Sequence, residues 1–149
     1  MRTLRFFSAA GVAFLVSAVL YIISMLTFIS YQGEGVFNVL TSLTFMLAFY
    51  LLPFCYAGCL IGELVYSFTS KIVNRFIVTL IFVLIGIMYS YLVHRFLLNG
   101  NSSVFYLCVS VLGSTSFYWA HFINNRKMNI QLAVIPGYVI IIFLVAIAV

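Results

Sequence analysis

The chain has 149 residues, of which 66% are hydrophobic and 6% are charged, and its formal net charge is +5. A soluble domain carries about 25% charged residues, so this composition excludes an ordinary water-soluble fold and predicts a protein that is solvated by lipid. The positive charge does not indicate nucleic-acid binding, because the cations lie at the ends of apolar segments and act there as topology signals.

Five apolar segments follow one another along the chain, with short polar links between them. A transmembrane helix needs about 20 mostly apolar residues, and in lipid every backbone polar group must be paired within the segment, which favours helices. The sequence therefore predicts one all-α domain, a polytopic bundle of five membrane spans. The predicted spans are 6–29, 36–66, 76–98, 104–123 and 130–149.

The second segment is too long for a straight crossing and contains Pro53. A proline inside a helix removes one N–H donor, and its ring crowds the carbonyl four residues earlier. We therefore predict a kinked or irregular helix near Pro53. Beyond it, Gly58 and Gly62 form a small-residue pair, which we expect to face the bundle and let another helix approach closely.

The cations predict a cytoplasmic amino terminus and an external carboxyl terminus. Cytoplasmic loops are enriched in Lys and Arg, and with this orientation six cations lie inside and only Arg95 lies outside. A bundle of four spans is the alternative, since Pro136-Gly137 could break the fifth segment or let it lie shallow. The six cations on the cytoplasmic side are Arg2, Arg5, Lys71, Arg75, Arg126 and Lys127.

Cysteine and histidine spacing gives no support for a metal or cofactor site. Cys55, Cys59 and Cys108 lie in apolar segments without a CxxC pair or an accompanying His pair, which is typical of buried, reduced thiols. His94 and His121 are predicted near opposite faces of a bilayer core about 30 Å thick. That separation excludes a haem held by both histidines, and we predict no cofactor.

Glu63 is the most interesting polar residue, because an ionisable group in an apolar helix is a functional candidate by default. One interpretation is a proton or cation site with Lys71 or Arg75 as the nearest partner. The other, which we favour, is a structural or interfacial carboxylate, since Glu63 lies close to the cytoplasmic end of its segment and can reach interfacial water.

A second group of candidates lies near the outer end of segment three. His94 and Arg95 are either part of a small polar pocket that opens outward or interfacial side chains that snorkel to water, and we favour the latter. Residues spaced by four share one helix face, which could meet a small-residue face of segment four. The residues of these two faces are Gly86, Ser90 and His94 on segment three and Ser110, Gly113 and Ser114 on segment four.

The sequence carries no nucleophile–base pair, carboxylate dyad or metal-binding motif, which argues against an enzyme. The stretch Leu52-Pro53-Phe54…Gly58…Gly62-Glu63 resembles uncharacterised small polytopic membrane proteins of Gram-positive bacteria, and this resemblance implies a bacterial plasma membrane. We expect a non-enzymatic accessory subunit or protective protein. Its partners would be the lipid bilayer and other membrane proteins or further copies of itself. A small oligomeric transporter or channel is the alternative.

Overall fold

The computed structural model describes residues 2–32, 41–42, 44–70, 74–97 and 104–148, and over these ranges the chain is helical apart from short connections. This confirms the predicted all-helical bundle. The second of the five helices contains a π-helical turn, which follows α-helical residues at 44–45 and continues as an α-helix. The bounds are Arg2–Gln32 for α1, Met46–Leu51 (π) and Leu52–Thr69 (α) for α2, Arg75–Leu97 for α3, Val104–Ala120 for α4 and Arg126–Ala148 for α5.

The helices differ from the predicted apolar segments mainly at their polar ends. α5 begins four residues before the predicted segment at residue 130, and α4 ends at Ala120 rather than at residue 123. Apolarity marks only the part of a helix that suits lipid, whereas side-chain caps decide where the helix starts. The Asn125 side chain accepts a hydrogen bond from the backbone N–H of Lys127 (3.0 Å) and so caps α5.

Within the described ranges, three helices are long and apolar enough to cross a membrane. Their qualifying stretches are Thr3–Ser24, Met46–Thr69 and Arg75–Arg95, and the shorter helix Val104–Ala120 is also apolar. α5 runs as one helix through Pro136, so the break that Pro136-Gly137 permits does not occur.

α2 is irregular where Pro53 predicts it. The π-helical turn directly precedes the α-helix in which Pro53 occupies one of the first two positions. A π-turn accommodates one extra residue in the helix. Here the π-turn adjusts the backbone just before Pro53, which has no N–H to donate to the preceding turn. Beyond this turn Gly62 is buried inside the bundle, and Gly58 lies against the ring of Tyr89.

α1 and α4 form the centre of the bundle, because they pack extensively against each other and each carries one outer helix. α3 lies along α4, and α5 lies along α1. α2 rests on both central helices but contacts α3 at few positions. The result is a bundle that is tightly packed in its middle and open between α2 and α3.

Two glycines allow the closest approaches between helices. A Cβ at Gly11 would overlap the backbone carbonyl of Leu132, and a Cβ at Gly86 would lie 2.6 Å from Ser114 Oγ and 2.7 Å from the Cα of Val111. Only glycine therefore permits the observed spacing of α1 against α5 and of α3 against α4.

Candidate glutamate–histidine site

The structure brings an acidic and a basic side chain together between α2 and the end of α4. Glu63 Oε2 lies 3.0 Å from His121 Nε2. The His121 side chain is only 4% exposed and that of Glu63 is 26% exposed, so the pair is buried on the histidine side and reaches the surface through the carboxylate. This contact joins residues that are 58 positions apart in the chain.

The end of α4 positions the imidazole. The backbone N–H of His121 donates a hydrogen bond to the carbonyl of Tyr118 (3.2 Å), three residues earlier, as in a 3₁₀-type last turn. This leaves the carbonyl of Phe117, four residues before His121, free of its usual helical partner. His121 Nδ1 lies 3.0 Å from that oxygen, so the side chain satisfies a carbonyl that the helix end would otherwise leave unpaired.

Two aromatic rings hold the imidazole in place. The Tyr66 ring lies 4.2 Å from the imidazole centroid at an interplanar angle of 35°, and the Phe117 ring lies 4.8 Å away at 65°. Tyr66 comes three residues after Glu63, so it projects from nearly the same face of α2. α2 therefore contributes both the carboxylate and one wall of the histidine site.

The hydrogen bonds determine how many protons the pair holds. A carbonyl oxygen only accepts, so Nδ1 carries a proton and donates it to Phe117. The 3.0 Å contact between Nε2 and Oε2 is a hydrogen bond only when one further proton lies between these atoms. The pair is then either imidazolium with carboxylate or imidazole with carboxylic acid, and in both forms its net charge is zero.

The predicted partners of Glu63 are corrected by this geometry. Arg75 does not pair with Glu63: its guanidinium carbon lies 4.7 Å above the centre of the Phe122 ring, in a cation–π contact. Lys71, the other predicted partner, lies outside the described residues. Arg75 is drawn to Phe122 because α3 begins beside the point where α4 ends.

His121 is the residue that the sequence analysis missed as a partner of Glu63. A usable signal existed, since both residues are predicted near the cytoplasmic ends of their segments and therefore at similar depth. Depth alone does not say which two helices are neighbours, and the contact between α2 and α4 decides that.

His94 and Arg95 are not part of this site. They lie in the last turn of α3, whereas the first turn of α3 is the one beside Phe122 and His121. His94 is half-buried and Arg95 is exposed, at the opposite end of the bundle.

The small residues of α3 and α4 meet partly as predicted. Gly86 packs onto Ser110 and Ser114, and Ser114 Oγ donates a hydrogen bond to the carbonyl of Phe82 (2.8 Å). Gly113 instead faces α1, where a Cβ would lie 3.1 Å from Ser17 Oγ. A helix of 3.6 residues per turn places position 113 on a different face from 110 and 114.

A cavity of about 370 Å³ lies beside these residues, between α2 and α3 and above the two central helices. Gly86, Ser90, Ser110 and Ser114 line it together with apolar side chains. Its lower end is formed by Gly62 and by Phe117, whose ring is the one in contact with His121. His94, which the outward-pocket hypothesis included, is not among the described lining residues.

Over the described ranges, no three His, Cys, Asp or Glu side chains come together as a metal-ligand set. Comparisons with protein-family models, with curated proteins and with solved structures give no match for this chain.

Proposed function

We propose that the protein is a five-span integral protein of the bacterial plasma membrane, with its amino terminus in the cytoplasm and its carboxyl terminus outside. One observation carries this proposal: large apolar side chains cover the outside of the helices. Phe68 is 79% exposed and Val104 is 78% exposed, and water would strongly oppose such a surface. Lipid is the solvent that suits it.

The distribution of cations around the bundle supports the orientation. Arg5 donates a hydrogen bond to Asn124 (3.2 Å), and Arg75 lies over Phe122. Both cations therefore lie at the end of the bundle where α4 passes into α5, next to Arg126. Arg95 lies at the other end of α3. A cluster of cations at one end is what the positive-inside rule requires of the cytoplasmic face.

Reporter fusions test this topology. A reporter that is active only in the cytoplasm is fused after Ser70, between α2 and α3, and in a second fusion after Val149. We expect activity from the first fusion and none from the second, since an odd number of spans separates Val149 from a cytoplasmic amino terminus. Strong activity at Val149 would contradict the five-span proposal and favour four spans.

Within this architecture we propose a non-enzymatic role, as an accessory subunit or a protective protein. The sequence supplies few groups for general acid–base or nucleophilic chemistry, and the glutamate–histidine pair has both nitrogens and one carboxylate oxygen engaged in hydrogen bonds. Such a pair favours a fixed connection between α2 and α4 over an open reaction centre.

A small transporter is the second candidate, and one observation favours it. Glu63 and His121 lie within hydrogen-bond distance of each other directly below an intramembrane cavity, and paired ionisable groups inside a membrane often mark proton or ion pathways. The two candidates differ in what they require of Glu63: a transporter needs its carboxylate, whereas a structural pair needs only its hydrogen bond. The Glu63→Gln variant described in the Discussion separates them.

A further inference from the structure

The cavity between α2 and α3 has the length of one leaflet of a bilayer. On α4 its lining extends from Phe105 to Phe117, a rise of twelve residues, and on α3 from Phe82 to Val93, a rise of eleven residues. At about 1.5 Å per residue this is about 17 Å. Half of a bilayer core is about 15 Å, so the cavity matches the reach of a single acyl chain.

The walls of the cavity are chemically suited to a hydrocarbon. Most of its lining side chains are apolar, and two of the polar ones bond to the protein itself: Tyr89 donates to the carbonyl of Phe54 (2.6 Å) and Ser114 donates to that of Phe82 (2.8 Å). In the described part of the chain no fully buried side-chain polar atom lacks a partner. A ligand in this space therefore meets mainly apolar surface.

The mouth of the cavity differs from its walls in exposure and in its tyrosine side chains. The most exposed of the described lining residues are Met46, Tyr50 and Tyr106, at the end opposite to Gly62 and Phe117. Tyrosine is enriched where a membrane meets water, because its ring is apolar and its hydroxyl is polar. In the proposed orientation these two tyrosines lie toward the outer leaflet, at the depth of lipid headgroups.

We propose that this cavity binds one acyl chain of an outer-leaflet glycerophospholipid, whose headgroup remains at the tyrosine-lined mouth. The chain enters sideways between α2 and α3, which contact each other at few positions, and its end approaches Gly62 and Phe117. The volume of about 370 Å³ is near the lower end of ligand sites, which hold about 300–1,000 Å³. It therefore suits one chain rather than a whole lipid. The depth assigned to the mouth rests on the proposed function.

Native mass spectrometry of the full-length protein in detergent tests this proposal with dipalmitoyl phosphatidylglycerol as the probe. Gly58→Leu places a side chain in the cavity, and a Cβ there meets the Tyr89 ring at an ordinary 3.4 Å. Ala57→Leu is the matched control, since Ala57 is exposed and does not line the cavity. We expect one bound lipid in the native protein and in Ala57→Leu, and binding at least about tenfold weaker in Gly58→Leu.

Three results would overturn the proposal: no lipid adduct on the native protein, equal binding by the two leucine variants, or a preference for a polyprenyl phosphate over the phospholipid.

Thermal unfolding provides a second test that needs no variant. The phospholipid should raise the unfolding midpoint of the native protein, whereas glycerol 3-phosphate, which has no chain, should not. A midpoint unchanged by the phospholipid also overturns the proposal. Both measurements are independent of the reporter fusions, so failure here and failure of the topology are distinguishable.

Discussion

Glu63 and His121 connect two helices through a side-chain contact of 3.0 Å. The imidazole is held by the Phe117 carbonyl, by two aromatic rings and by the Glu63 carboxylate. The contact gives each of the two ionisable groups a hydrogen-bond partner, and an ionisable group without one would be costly in a membrane. Its main consequence is a cross-link between α2 and the end of α4.

The residue-scale prediction compares Glu63→Gln with Glu63→Leu. A glutamine amide can donate to His121 Nε2 while Nδ1 continues to donate to Phe117, so the connection between the helices survives without a shared proton. We expect Glu63→Gln to leave membrane insertion, expression and the phenotype of gene deletion unchanged. Leucine leaves Nε2 buried without a partner, which costs about 1–3 kcal/mol, and a thermal unfolding midpoint should fall accordingly.

Complementation of a deletion strain, with protein abundance measured in parallel, decides between the two candidate functions. If Glu63→Gln accumulates normally and yet abolishes the phenotype, the carboxylate itself is needed. The transporter proposal, with Glu63 as the proton-binding group, would then replace the structural one.

At the scale of helices, glycine positions decide which pairs can pack closely. Gly86 lies against the backbone of α4, whereas Gly137 has no atom within 4 Å of the place where its Cβ would be. Both lie inside helices, so their intrinsic helix propensities are the same and only their surroundings differ. The two positions therefore form a natural matched pair.

We predict opposite effects of alanine at these two positions. Gly86→Ala pushes α3 away from α4 and should lower the free energy of unfolding by about 1–3 kcal/mol, as overpacking does. Gly137→Ala adds no contact and should be neutral or stabilising by up to about 1 kcal/mol through helix propensity. Unfolding of the purified variants in detergent with increasing denaturant measures both. Equal stability of the two variants would show that α3 and α4 are not packed as described.

At the scale of the whole molecule, packing against α1 and α4 connects parts of the chain that lie far apart in sequence. α1 contacts α4 and α5 extensively, while α2 adds contacts to α4. At the cytoplasmic end proposed here, Ser8 donates a buried hydrogen bond to Asn129 (2.9 Å), and the Asn129 amide donates to the carbonyl of Ile123 (3.2 Å). The first two helices are thus attached to the last three by packing and by polar contacts.

This arrangement predicts that the protein can be divided in the loop between α2 and α3 and still assemble. Fragments 1–70 and 71–149, the second with an added initiating methionine, should co-purify when they are expressed together, because in the proposed orientation each begins in the cytoplasm and can insert on its own. Gly11→Leu in the first fragment should prevent or weaken recovery of the second, since it overlaps the backbone at Leu132. Gly137→Leu should not. Loss of co-purification in both variants would indicate a general effect of added bulk.

Hydropathy was enough to predict an all-helical bundle, because a long apolar segment pairs its backbone polar groups best within a helix. Proline chemistry was likewise local, so the irregularity before Pro53 could be anticipated. Helix ends were harder: Asn125 starts α5 through a side-chain hydrogen bond, and the end of α4 involves His121 bonding back to Phe117. Neither leaves a signal in apolar content.

Only the tertiary structure decided which helices are neighbours. Glu63 pairs with His121 rather than Arg75, and Gly113 faces α1 rather than α3. Apolar helices in lipid lack a strong hydrophobic preference for one partner, so the choice depends on small residues, shape and a few hydrogen bonds. These are properties of two surfaces in contact. The sequence of a single segment describes only one of these two surfaces.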